Sequence, residues 1–162
     1  MNEGPLSVDQ DIRLLLALCR TASLATVDDQ GLPHAANVQY ACDDAMSLVW
    51  VSSEKSAHSQ HLMQRLRAAV TVYAHQDSPT EIRGVQMRGI VTIERDERRD
   101  LALHLYRSKF PFVTEEPYRT AVSKQTLYRF TPSWLRYIDN RRGFGWKVEL
   151  DLSGARATGS QG

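Results

Sequence analysis

The chain has 162 residues, 42% of them hydrophobic and 24% charged, a balance typical of one globular domain. Its 20 Lys and Arg against 19 Asp and Glu leave a net charge of +1, which argues against a protein that binds nucleic acid through a strong basic field. The longest apolar run, Leu14 to Cys19, is too short to span a bilayer, and the first residues lack the pattern of a signal peptide. We therefore expect a cytoplasmic protein with no nucleic-acid or membrane partner.

Three segments have the apolar spacing of helices. The first runs from Ile12 to Cys19, and the preceding Ser7–Gln10 has the form of a capping box. A second is predicted from about Lys55 to Arg67, with an apolar stripe made of Leu62, Met63 and Leu66. A third follows Asp96 and ends before Pro111, with one face made of Leu101, Ala102, Leu105 and Tyr106.

Apolar residues alternate with polar ones in the rest of the chain. This period of two predicts strands near residues 24–27, 34–41, 47–52, 70–75, 85–93, 134–138 and 146–150. The second and third of these flank Asp43 and Asp44 and are expected to pair as a hairpin. Many strands without regular βαβ alternation favour a mostly antiparallel barrel with accessory helices over a doubly wound parallel sheet. Residues 153–162 are small and polar, and a disordered tail is expected there.

The most suggestive local pattern lies at Val49–His58, where a strand leads into a helix through Ser-Ser-Glu-Lys-Ser. The unpaired N–H groups at a helix N-terminus bind anions, and Lys55 and the hydroxyls would add a charge and hydrogen-bond donors for a phosphate. An ordinary N-cap, formed by Ser52 or Ser53 and followed by a solvated lysine, explains the same residues. The residue types alone leave both interpretations open.

Other candidate residues carry weaker signals. The histidines match no metal-binding motif, so no metal site is predicted, and neither cysteine lies in a catalytic signature. Gly143–Lys147 either lets the backbone approach a ligand closely or forms a hairpin bend. Arg141 and Arg142 are interpreted as a solvated pair. Arg83 and Arg88 either face solvent or help to hold an anionic ligand.

Taken together, several segments resemble the pyridoxamine 5′-phosphate oxidase-like family of FMN-binding split barrels, and a small, functionally uncharacterised bacterial subgroup of it. The resemblance covers about residues 11–150 and depends on the order and spacing of five segments. These segments are Ser23–Val27, Gly31–Val38, Val49–His58, Arg83–Gly89 and Asp139–Lys147.

The resemblance implies a mainly β fold, an antiparallel six-stranded split β-barrel with flanking α-helices, over residues 1–152. It also implies a homodimer with FMN in a cleft at each end of the interface. The residues at the family's FMN-contacting positions lie on five parts of the chain. They are Asn37, Val38 and Gln39 on the second strand; Trp50, Val51 and Ser52 on the third strand; Lys55 and Ser56 at the phosphate-binding turn; Gln86 on the strand that meets the partner's flavin; and Trp146 and Lys147 on the last strand.

The chain departs from the oxidase itself in two places. The oxidase has an arginine and a lysine on its second strand, and this strand has neither, so the phosphate would depend on Lys55, Ser56, the helix terminus and His58 or Arg83. The oxidase also draws on spaced arginines in its C-terminal segment, whereas residues 151–162 contain a single arginine. Because the oxidase's substrate carries a second phosphate, which needs several fixed cations, we expect that this chain is not a true pyridoxamine 5′-phosphate oxidase.

The expected function is that of an FMN-dependent oxidoreductase that takes a small-molecule substrate or electron donor, with no catalytic residue assigned. A flavin-binding or sensing protein without turnover is one alternative. A heme- or deazaflavin-binding protein on the same fold is the other.

Overall fold

The structure of the protein, a computed structural model, describes residues 7–156. These residues contain four α-helices, namely α1 (Val8–Leu18), α2 (Ala57–Gln64), α3 (Asp96–Lys109) and α4 (Tyr118–Ser123). The same residues contain eight strands, namely β1 (Thr21–Val27), β2 (Pro33–Gln39), β3 (Ala41–Cys42), β4 (Leu48–Ser52), β5 (Arg67–Tyr73), β6 (Arg83–Ile93), β7 (Thr126–Asp139) and β8 (Lys147–Asp151).

All eight strands belong to one antiparallel sheet in the order β2-β1-β5-β6-β7-β4-β3, with β8 paired to β7. The sheet curls until β2 and β4 approach each other, so it forms a half-barrel flanked by helices. The predicted fold class is therefore confirmed, although the sheet has eight strands instead of the six implied by the resemblance. The extra strands are the two-residue β3 and the short edge strand β8.

The predicted hairpin around Asp43 forms only at the end of its first strand, where Ala41 and the following Cys42 pair with β4. The long strand β2 pairs with β1, from Thr21↔Gln39 to Val27↔Pro33, and only β3 pairs with β4. The chain changes partners at Tyr40, which is fully buried and whose hydroxyl donates to the Leu16 carbonyl at 2.8 Å. Asp43 does form the predicted turn, because its Oδ1 accepts from the N–H groups of Ala45 and Ser47.

Two apolar clusters hold the fold together. The inward faces of the sheet, α1 and Leu62 of α2 form the main core, which includes Leu24, Trp50, Val70, Met87, Phe130 and Leu135. A second cluster lies outside the half-barrel, where α3 and α4 pack on β3, β4 and β7; its members include Ala41, Val49, Ala102, Tyr106, Phe110, Val113, Val122 and Leu127. The second cluster is what attaches α3 and α4 beside β4.

The helices differ from the predictions in their extent. The capping box at Ser7 and Gln10 is confirmed. Helix α2 begins after Ser56, which is its N-cap, and it ends at Gln64. Of its predicted apolar stripe only Leu62 is buried, while Met63 and Leu66 are 66% and 55% exposed. Of the predicted tail, Ser153–Arg156 form a 3-10 helix, and the remainder lies outside the described residues.

Arg141 and Arg142 are not a solvated pair, because both form ion pairs with buried carboxylates. Arg141 binds Asp139 through Nε at 2.8 Å and Nη2 at 2.7 Å, and Arg142 binds Asp11 of α1 at 2.6 Å. Asp139 is fully buried and also accepts a hydrogen bond from the Tyr137 hydroxyl at 3.0 Å. The loop after β7 therefore fastens α1 to the end of the half-barrel.

None of the described helices combines the length and the apolar composition needed to cross a membrane.

Candidate functional site

A cleft of about 370 Å³ lies between the curled edge of the sheet and the outer helices. It brings together six of the twelve residues predicted to contact FMN, contributed by β2, β4 and α2: Asn37, Val38, Gln39, Val51, Ser52 and His58. The rest of its lining comes from α3, α4 and the segment between them, and consists of Tyr106, Phe112, Val113, Tyr118, Ala121 and Val122.

The cleft has an apolar side and a polar side because two structural layers meet there. Val51 points outward from β4 toward the cluster that holds α3 and α4, so Val113 and Val122 face it. On the other side, β2 presents the exposed side chains of Asn37 and Gln39. An elongated amphipathic molecule with one flat apolar part matches this arrangement.

Four polar side chains form a compact hydrogen-bonded cluster where β4 leads into α2. His58 Nε2 lies 2.7 Å from Ser52 Oγ and 3.1 Å from Ser56 Oγ. Ser56 Oγ lies in turn 2.8 Å from the hydroxyl of Ser59, which is fully buried, and Ser56 caps α2. The cluster fixes the hydroxyls of Ser52 and Ser56 next to the first N–H groups of the helix, which have no intrahelical partner.

His58 belongs to a group of three neighbouring histidines. Its partial burial lowers its pKa below the ordinary value of 6.5, and the nearby His34 and His61 lower it further. The His34 and His61 rings meet edge-on at 5.3 Å, and His61 Nδ1 lies 3.0 Å from Thr26 Oγ1. His58 is therefore neutral near pH 7, and the tautomer of its ring sets whether Nε2 accepts from or donates to the serine hydroxyls. Within the described residues, no group of side chains has the arrangement needed to hold a metal ion.

Lys55 lies in the exposed turn between β4 and α2, outside the lining of the cleft. Its backbone N–H donates to Ser53 Oγ at 3.2 Å, which helps to set the turn. Lys55 and Ser56 are consecutive in this turn, so the lysine is adjacent to the helix cap. The side chain is long enough to reach an anion at the N-terminus of α2.

Four predicted contact residues lie elsewhere. The Trp50 side chain points into the core, where it is 1% exposed and stacks on Tyr128 at 5.5 Å, so only its backbone borders the site. Gln86 lines a separate cavity of about 550 Å³ on the outer face of the sheet. Trp146 packs edge-on against Tyr137 at 6.3 Å, and Lys147 is exposed at the start of β8. None of these four shares the cleft within the described chain.

The helical wall of the cleft was not predicted as part of the site. Tyr106 has the spacing of a core-facing residue, and burial raises its pKa to about 12, so it presents a protonated phenol to the cleft. Helix α4 has only six residues, too short for a periodic signal. The pair Tyr118 and Val122, spaced i and i+4, was the one local indication of a helix face there.

The residues of the cleft fit FMN in their chemistry. The apolar side suits a flavin ring, and Asn37 and Gln39 offer amides to its polar edge. The serine hydroxyls, the N-terminus of α2 and Lys55 suit a phosphate.

Comparison with known proteins relates the chain to one protein family and to a similar bacterial protein. A family model described as pyridoxamine 5′-phosphate oxidase matches residues 8–139. A UPF0306 protein of Enterobacter sp. (strain 638) is 28% identical over 123 residues, which cover 75% of this chain and 82% of that protein.

Two solved structures share the fold at low sequence identity. A heme binding protein of Mycobacterium smegmatis has a TM-score of 0.77 and 18% identity, and the match covers 93% of this chain but 60% of that one. The heme storage protein HutZ of Vibrio cholerae has a TM-score of 0.66 and 16% identity, with 78% of this chain and 91% of that one covered. This chain is thus similar to only part of the Mycobacterium protein.

Proposed function

Because the chain belongs to the pyridoxamine 5′-phosphate oxidase family, we propose that it binds FMN in the cleft and is an FMN-dependent oxidoreductase. One observation carries the proposal: the cleft brings together the amides of β2, an apolar wall, and Ser52 and His58, which are hydrogen-bonded to the α2 cap Ser56. The proposed substrate or electron donor is a small molecule.

The phosphate of FMN would lie at the N-terminus of α2. Ser56 caps the helix, Ser52 lies beside it, and His58 links their hydroxyls. The helix dipole and the free N–H groups favour an anion there, and Lys55 supplies the mobile charge. The missing cations on β2 are thereby replaced by groups from a single turn.

The ring of FMN would lie between Val51 and the wall formed by Val113 and Val122. When bound, FMN supplies hydride or single-electron transfer. The chain contributes position and polarity: Asn37 and Gln39 set the orientation, and the α3–α4 wall excludes water from one side. No described side chain of the cleft is required as a proton donor.

A true pyridoxamine 5′-phosphate oxidase activity is not proposed, because none of the described residues that line the cleft is a lysine or arginine able to hold a second phosphate. The test is turnover of pyridoxamine 5′-phosphate or pyridoxine 5′-phosphate under air. Formation of pyridoxal 5′-phosphate at about 1 per second or faster would contradict this part of the proposal.

Heme is the second candidate, because two proteins with the same fold are described as heme binding or heme storage proteins. In this chain the histidine that lines the cleft is His58, and its Nε2 is held by Ser52 and Ser56. Ligation of iron through Nε2 would break both contacts. FMN needs no such rearrangement, and for that reason we favour it.

The proposed function is tested on protein purified without added cofactor. We expect the two-banded visible spectrum of an oxidised flavin and release of FMN on denaturation. A Soret band would support heme instead. Bleaching of the flavin bands by a reduced nicotinamide nucleotide, followed by reoxidation in air, separates an enzyme from a flavin-binding or sensing protein.

A further inference from the structure

A second, more polar pocket of about 370 Å³ adjoins the FMN cleft. It lies where α1 ends and β1 begins, and its lining includes Arg20, Thr21, Ser23, Tyr73 and His75. Asn37 lines both this pocket and the cleft, so one side chain forms the wall between them. A molecule bound in the pocket would lie beside whatever occupies the cleft.

The pocket is electropositive. Arg20 lies over the buried ring of Phe110 at 4.9 Å, an arrangement that leaves its N–H edges available, and it has no carboxylate partner in the described part of the chain. Among residues 7–156, no Asp or Glu lines the pocket. Lys109 is a second cation nearby, because its Nζ donates to the carbonyl of Cys19, a residue of the pocket wall. His75 lies 3.6 Å from Asp77, and both side chains are almost fully exposed.

Hydrogen bonding within the wall sets the direction of the shared amide. The Ser23 hydroxyl donates to Asn37 Oδ1 at 2.8 Å. This contact turns the NH₂ group of Asn37 away from Ser23 as a free donor at the boundary of the two sites. Thr21 and Tyr73 add hydroxyl groups to the lining.

We infer that this pocket binds the carboxylate of the small-molecule substrate, with Arg20 as the cation and Asn37 as the donor between the two sites. The inference rests on the proposed function, because it assumes that the adjacent cleft holds the cofactor. One guanidinium matches one carboxylate through two parallel hydrogen bonds, whereas a dianionic phosphate is favoured by several cations. Arg20 is thereby assigned to substrate recognition, not to FMN.

The pocket is tested by NMR titration of the full chain with three small probes: benzoate, phenyl phosphate and benzyl alcohol. We expect benzoate to shift the amides of Thr21, Ser23 and Thr71, and benzyl alcohol to leave them unchanged. Arg20→Gln should weaken benzoate binding about tenfold or more, since a charge-assisted contact is lost, and Arg20→Lys should restore part of it. Arg107→Gln removes the same charge from an exposed position on α3 and should have no effect.

Titration of FMN on the same variants separates the two proposals. We expect Arg20→Gln to change the FMN affinity less than about twofold, because the phosphate site is at α2. Benzoate binding that depends on Arg20 in a chain that fails to bind FMN would sustain the pocket and overturn the proposed function. Benzoate affinity unchanged in Arg20→Gln, shifts confined to the N-terminus of α2, or phenyl phosphate binding tenfold tighter than benzoate would overturn the inference.

Discussion

Lys55 is exposed in the turn before α2, and its contribution to binding is measured by comparing two flavins. FMN carries a phosphate and riboflavin does not, so a contact with the phosphate affects FMN alone. We predict that Lys55→Ala weakens FMN by about tenfold to a hundredfold, the effect of losing about 1.5–3 kcal/mol from a charge-assisted contact. Isothermal titration with both flavins measures the difference.

The matched control is Lys124→Ala, which removes an exposed lysine at the end of α4. It should leave both flavin affinities unchanged. Equal losses of FMN and riboflavin in Lys55→Ala would mean that Lys55 does not meet the phosphate.

Asp139 makes stability depend on pH. Hydrogen bonds from Arg141 lower the pKa of this buried carboxyl from 3.8 to about 2. The folded state thus binds fewer protons than the unfolded state between these values, and the stabilisation present above pH 4 is lost as the pH falls toward 2. We predict that Asp139 alone lowers the free energy of unfolding by about 1 kcal/mol between pH 6 and pH 3.

Urea unfolding of the natural chain and Asp139→Asn at several pH values measures this effect. The variant should be less stable at pH 6, and the gap between the two proteins should narrow as the pH falls. A gap that stays constant from pH 6 to pH 3 would show that the Asp139 carboxyl does not titrate differently on folding.

At the scale of elements, the contact between β6 and β7 depends on Gly89. The register of the two strands shifts between Arg88 and Gly89, and a Cβ at Gly89 would lie 2.0 Å from the Thr131 carbonyl oxygen. The two longest strands would have to separate to admit it. We predict that Gly89→Ala lowers the free energy of unfolding by about 3 kcal/mol, whereas Gly154→Ala, where the added atom meets open space, has little effect. Denaturant unfolding that finds the two variants equally stable would contradict this account.

Strand β7 shows why sequence periodicity located some elements only in part. Its second half alternates between core and partly exposed residues from Trp134 onward and was predicted. In its first half, Leu127–Pro132, both faces are covered, because the core lies on one side and α3 with α4 on the other. Burial on both faces removes the alternation, so the pattern there gave no strand.

The candidate site was likewise predicted only in part from the sequence. The cleft residues on β2, β4 and α2 were predicted from the family resemblance, whose motifs are short and local in sequence. The wall from Tyr106 to Val122 was not predicted, because its place depends on packing against β4. The orientation of the Trp50 side chain could not be predicted either, since a strand residue's face depends on register: Val51 faces the cleft and Trp50 faces the core.

At the scale of the whole molecule, the outer face of β1, β5 and β6 presents many small side chains to solvent. Cavities of about 550 and 560 Å³ lie on it, lined in part by Ala25, Ala35, Ala69, Gln86 and Arg88. Leu135 and Tyr137 of β7 are fully buried in the core and therefore do not contribute to this face. A large exposed face of this kind is typical of an interface between symmetric copies.

We predict that the chain is a homodimer joined through this face, with Gln86 of each copy meeting the partner's flavin. Light scattering should give twice the chain mass of 18.4 kDa. Ala69→Arg, at the centre of the face, should give monomers that bind FMN more weakly, and Gln86→Ala should weaken FMN without dissociating the dimer. Leu101→Glu, on exposed α3, is the control for surface charge. A natural chain that is monomeric at micromolar concentration with flavin bound would contradict the prediction.

The central claim is that the cleft beside the N-terminus of α2 is the FMN site, and a crystal structure of the chain grown with excess FMN tests it most directly. The account predicts phosphate oxygens within hydrogen-bond distance of Ser56 or the first N–H groups of α2. It predicts the flavin ring between Val51 and the Val113–Val122 wall, with Asn37 or Gln39 at its polar edge. FMN bound elsewhere on the chain, with this cleft empty, would contradict it.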